Sequence, residues 1–101
     1  MRRPYHRNAT AMPLREAIEE FLSYYRLKNK LEESRAIQAW EKIVGEAVAK
    51  HTESLKIRKR ILFVKVDSSV VRNELAYARK KIIDSFNRSA GSKVIDDIVL
   101  S

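Results

Sequence analysis

The residues able to do chemistry are few, and their spacing does not favour it. There is no cysteine, so disulfides, thiolate catalysis and Cys-ligated zinc are excluded together. The two histidines are His6 and His51. His51-Thr52-Glu53 has the His-x-Glu spacing of a zinc deaminase, but the accompanying Pro-Cys-x-x-Cys is absent. The converging ligands that a metal needs are not visible either. The acid pairs Glu19–Glu20, Glu32–Glu33 and Asp96–Asp97 are sequence neighbours. Carboxylates that share acid–base work must converge across a cleft, whereas adjacent positions diverge on a helix or strand. With only Gly45 and Gly91 as glycines, the chain has no Gly-rich phosphate loop and no Gly-x-Ser-x-Gly elbow. No catalytic residue, metal or cofactor is expected.

What remains is positive charge. Lys and Arg number 21 against 13 acids, a net charge of +8. Residues 1–50 hold ten bases and seven acids, and residues 51–101 eleven and six. This balance favours an anionic partner. The densest cluster is Lys56, Arg58, Lys59 and Arg60 in "SLKIRKRILFVKV", where a tight turn ordinarily recruits Gly, Asn or Asp. Arg72 and Arg79, seven apart, are expected on one side of a single helix with Lys80 one step round. These seven cations are the candidate nucleic-acid contacts. The bland reading is a hairpin charged to prevent edge-to-edge aggregation.

The elements that must position these cations follow from periodicity. Residues 1–12 read as a flexible basic arm, with Arg2, Arg3 and Arg7 and no acid. Residues 13–101 read as one domain. Pro13 suits the first position of a helix, and Leu14, Ala17, Ile18, Phe21, Leu22 and Tyr25 have helical spacing. This helix is expected to fade around Leu27 to Asn29. A second is expected from Lys30 to Lys50, with Trp40 on its core stripe and a break available at Gly45. Leu55 and Ile57 alternate with Ser54 and Lys56 in a first strand. In a second, from Ile61 to Asp67, Leu62, Val64 and Val66 face the helices, and Ile61, Phe63 and Lys65 face the other way. Asp67, Ser68 or Ser69 caps a third helix running to about Arg88, which Gly91 terminates, and "KVIDDIVL" supplies the last strand. The fold class is α+β, with helices on one face of a three-stranded sheet. Ile61, Phe63 and Lys65 are left as an apolar strip with a cationic rim, suited to a protein partner or a second copy of the chain.

Three runs resemble a known family. "AWEKIVGEAVAKHT" (39–52), "ILFVKVDSSVVRNEL" (61–75) and "IIDSFNRSAGSKVIDDIVL" (82–100) are similar, in order and spacing, to the signatures of the DciA-like proteins. The resemblance implies a KH-like fold and a role in bacterial DNA replication, with binding to DNA and to the replicative DnaB-type helicase and assistance in its loading. Family members often have Gly in the hairpin turn, where this chain has Arg58-Lys59-Arg60. The KH Gly-x-x-Gly clamp is missing.

The expected function is therefore that of a non-enzymatic DNA-binding accessory of the replicative helicase, with single- and double-stranded DNA both open. The alternatives are a protein-interaction adaptor, dimeric or not, and an RNA-binding module. No apolar run approaches the roughly 20 residues that span a bilayer, and no apolar segment follows the basic start, so a cytoplasmic protein without membrane contact is expected.

Overall fold

The structure is a computed structural model that describes the backbone of residues 4–101, with side chains from Pro13 onward. The arm expected over residues 1–12 lies outside the described side chains. The chain divides into two compact units, Met1–Lys30 and Leu31–Ser101. In order, the elements are α1 (Pro4–Gln38), α2 (Trp40–Val44), α3 (Glu46–Lys50), β1 (Thr52–Arg58), β2 (Ile61–Val66), α4 (Ser69–Tyr77), α5 (Arg79–Ala90) and β3 (Asp97–Leu100).

The helices depart from expectation in where they break. Helix α1 passes unbroken through Leu27 to Asn29, because that stretch holds neither Gly nor Pro and Leu and Lys are good helix formers. Pro13 lies inside α1 instead of opening it; its fixed φ is itself helical and it forfeits one hydrogen bond. The breaks fall at Ala39 (φ −88°, ψ 2°) and at Gly45 (φ 93°, ψ 160°), the latter a conformation essentially restricted to glycine. The helix expected to start from a cap at Asp67, Ser68 or Ser69 and run to about Arg88 is likewise two helices, divided at Ala78 (φ −95°, ψ 10°).

The sheet has the order β1-β2-β3. β1 and β2 form an antiparallel hairpin and β2 and β3 a parallel pair, so β2 is central and the sheet is mixed. Alternation along β2 buries Leu62, Val64 and Val66. They meet Val71 and Leu75 of α4, Ile82 and Phe86 of α5, Val94 and Ile95 before β3, and Ile98 of β3 in one core. Trp40 belongs to this core at 5% exposure. Its Nε1–H donates to Thr52 Oγ1 at 3.0 Å, and that hydroxyl donates to the Val48 carbonyl at 2.9 Å, so the indole nitrogen is satisfied as a buried polar group must be.

Two local devices set the ends of α4 and α5. Ser68 Oγ accepts the Val71 N–H at 3.3 Å, a helix N-cap. Gly91, left-handed at φ 90°, donates its N–H to the carbonyls of Asn87 and Arg88 and ends α5. Asn87 then shapes the turn that follows. Its Oδ1 accepts from the Val94 and Ile95 N–H groups, and its Nδ2 donates to the Ile95 carbonyl. This brings Val94 and Ile95 into the core and aims the chain along β2.

Candidate nucleic-acid interface

The outer face of the sheet is built by register. Lys56 stands opposite Phe63, which in turn stands beside Val99 of β3. The next row is Arg58, Ile61 and Asp97. Phe63 is 37% exposed and Val99 40%; Ile61 is half-buried, and Lys56, Arg58 and Lys65 are exposed. An aromatic ring and two aliphatic neighbours thus form a strip edged by cations. Val99 completes the strip beside Ile61 and Phe63, a contribution that the short last strand did not announce.

The hairpin turn has two central residues, Lys59 and Arg60, with φ of 50° and 65°. Positive φ at both central positions is the signature of the type I′ turn. For a side chain other than Gly, Asn or Asp that conformation is uncommon, and it costs about 1–2 kcal/mol per residue. The turn is held from outside. The Arg60 guanidinium donates to both oxygens of Asp96, at 2.8 and 3.1 Å, and the Asp96 N–H donates to the Arg60 carbonyl at 2.7 Å. Hydrogen bonding from Arg60 keeps the Asp96 carboxyl below its ordinary range and raises the Arg60 pKa, against an opposing effect of desolvation on each. Nothing in the sequence marks Asp96 as the partner, since it reaches Arg60 only once β3 pairs with β2.

The expected cations therefore fall into two sets. Lys56, Arg58, Lys59 and Lys80 are exposed and make no ion pair among the described residues. Arg60 is engaged with Asp96, and Lys65 Nζ lies 3.7 Å from Glu53 Oε1. Arg79 Nη1 lies 3.6 Å from Asp97 Oδ1, and Arg72 Nη2 donates to the Val66 carbonyl at 3.2 Å while its Nε is buried without a partner. Arg72 and Arg79 do not share one unbroken helix, because the chain breaks between them at Ala78 and each guanidinium is turned to its own acceptor.

Elsewhere, His51 Nδ1 lies 2.7 Å from Asp67 Oδ1, and the Asp67 N–H donates to the His51 carbonyl, so this histidine ties the end of α3 to the end of β2. Among the described residues no cluster of His, Asp and Glu could hold a metal ion, and no helix is long and apolar enough to cross a membrane. Within the first unit, α1 exposes Leu14, Ile18, Phe21, Leu22 and Tyr25 at helical spacing. Phe21 and Tyr25 meet with 4.5 Å between ring centroids.

Helices on one face of a three-stranded mixed sheet, with a hairpin followed by two helices and a parallel third strand, define an α+β module of KH-like layout. The chain belongs to the DciA family: the family model described as "Dna[CI] antecedent, DciA" matches residues 13–100. This family is associated with loading of the replicative helicase DnaB, which sets the role of the chain among accessories of that helicase. No curated protein and no solved structure gives a significant match.

Proposed function

We propose that this protein is a non-enzymatic accessory of the DnaB-type replicative helicase that binds DNA through its hairpin and outer sheet face. One observation carries the reading. Lys56 stands opposite an exposed Phe63, Arg58 lies in the next row and Lys59 at the turn beyond, all without acid partners among the described residues, while Asp96 holds the strained turn that displays two of them. Cations on a surface with an aromatic ring are the elements of a nucleic-acid platform: phosphate neutralisation supplies affinity and the ring supplies stacking. Arg60 adds to the hairpin, and Arg72, Arg79 and Lys80 of α4 and α5 are further candidate contacts, the three arginines secondary because each already has a partner.

The test is a salt titration of DNA binding followed by anisotropy. Arg58→Ser with Lys59→Ser should lower affinity at low salt and reduce the salt slope by up to about two, one for each phosphate no longer neutralised. Unchanged affinity and slope would leave the turn with edge protection alone. A second reading, a protein-interaction adaptor, has support in the strip of Ile61, Phe63 and Val99 rimmed by Lys65, and in the exposed apolar residues of α1. Phe63→Ser separates the two. Loss of DNA binding with retained helicase association favours the first, and the reverse favours a helicase or a second copy of the chain on the sheet.

A further inference from the structure

The α4–α5 junction carries an aromatic residue that the fold does not use. Tyr77, the last residue of α4, is 94% exposed, whereas Val71 and Leu75 of the same helix are in the core. The junction is only locally broken: the Ala78 N–H still donates to the Glu74 carbonyl, and the Ile82 N–H to that of Ala78. Those two bonds meet at Ala78, so the chain turns there without parting, and Tyr77 of α4 comes to lie with Lys80 and Lys81 of α5. Tyr77, Ala78, Lys80, Lys81 and Asp84 line one open recess. Neither lysine has an ion pair among the described residues, and Asp84 is the one acid in the lining. Arg79 points away, toward Asp97.

We infer that Tyr77, Lys80 and Lys81 form a second DNA contact, one that takes an unpaired base on the tyrosine ring and its flanking phosphates on the two ammonium groups. This rests on the DNA-binding reading above and extends it to strand preference. In a duplex the bases are stacked on each other, so a ring standing free on a helix can stack only on a base already out of the duplex. A protein contact fits less well. The nearest large exposed apolar side chain on α4 is Val70, seven residues back with Asn73 and Glu74 between, so the ring is not part of a continuous apolar patch. Cations on the recess are what a phosphate backbone requires and what an apolar interface lacks.

The experiment uses the full chain and a fluorescein-labelled oligothymidylate, with a duplex of equal length as comparison. Tyr77→Ala should weaken single-strand binding about tenfold, within the range of a single base–aromatic stack, and leave the salt slope unchanged. Lys80→Ser with Lys81→Ser should instead lower the slope by about 1.4, two phosphates at about 0.7 each for a single strand. Tyr77→Phe should bind as the parent does. Because Trp40 is buried, Tyr77→Trp adds one exposed indole, whose emission the oligothymidylate should quench and the duplex should not. If the parent binds the single strand but Tyr77→Ala binds equally well and the indole is not quenched, the site is wrong while the hairpin reading stands. If the parent binds no DNA, both fall. Tighter binding to an RNA strand of matched sequence would overturn the assignment to DNA.

Discussion

The hairpin tip and the C-terminus of α5 ask the backbone for the same unusual thing and receive different residues. Among the described residues φ is positive at Gly45, Gly91, Lys59 and Arg60. At Gly91 the left-handed conformation ends a helix, and glycine adopts it without penalty. At the turn the same region is occupied by two long cationic side chains, which bear the steric cost that Asn-Gly would avoid. A turn that served only to reverse the chain would be expected to resemble the helix end. That it does not, and that Asp96 is committed to holding one of the two cations, points to a use for the charges themselves.

This contrast requires that the strain be local and carried by a core that does not depend on the turn. The largest expected effect tests that requirement. Trp40→Ala should destabilise the domain by about 3–5 kcal/mol, a large share of the roughly 5–15 kcal/mol available to a small protein, while DNA affinity below the melting transition stays near that of the parent. If the melting temperature hardly moved and binding vanished, Trp40 would belong to an interface and the core would have to be redrawn.

An intermediate effect of opposite sign is expected at the two positive-φ sites. Lys59→Asn with Arg60→Gly should raise stability by about 1–2 kcal/mol, even after loss of the exposed, solvent-screened Arg60–Asp96 pair, and should weaken DNA binding. Gly91→Ala should lower stability by about 1–2 kcal/mol. The added Cβ would meet only the tip of Arg35 at 3.4 Å, so the cost there is conformational. Thermal melts of both variants beside a DNA titration measure the trade. A turn variant neither more stable nor weaker in binding would remove the reason for contrasting the two sites.

Much of the face that presents the site could be read from alternation. Leu62, Val64 and Val66 inward and Ile61, Phe63 and Lys65 outward is a period-two pattern that permits one register, and the structure keeps it. The Gly91 stop was equally legible, because few residues other than glycine take that conformation. The helix breaks at Ala39 and Ala78 were not. Alanine is the best helix former, so only packing of the following segment divides the helix there. The state of each cation was also hidden. Arg60 finds Asp96 through the β2–β3 pairing and Arg79 of α5 reaches Asp97 of β3, and nothing local to Arg60 or Arg79 encodes either distance. Tyr77 was within reach, since an aromatic residue off the Val71–Leu75–Ile82 stripe and next to Arg79-Lys80-Lys81 is already a marked position.

The smallest effect concerns the Asp96 clamp. Its carboxyl titrates below the ordinary value of about 3.8 because Arg60 donates to the charged form. A carboxyl with a depressed folded-state pKa contributes stability that is complete above its unfolded value and is lost as pH falls through its folded value. The contribution should thus be present at neutral pH and disappear only below about pH 3.8. The pair is exposed, so the thermal shift should be slight and should shrink further in salt. Asp96→Asn would make this part of the pH dependence flat. It should also release Arg60, so that at neutral pH the variant binds DNA slightly more tightly and with a steeper salt slope, the guanidinium having exchanged a carboxylate for a phosphate. If Asp96→Asn instead weakened binding, the clamp would be acting by holding the turn in its binding shape, and the strain at Lys59 and Arg60 would matter more than the charge on Arg60.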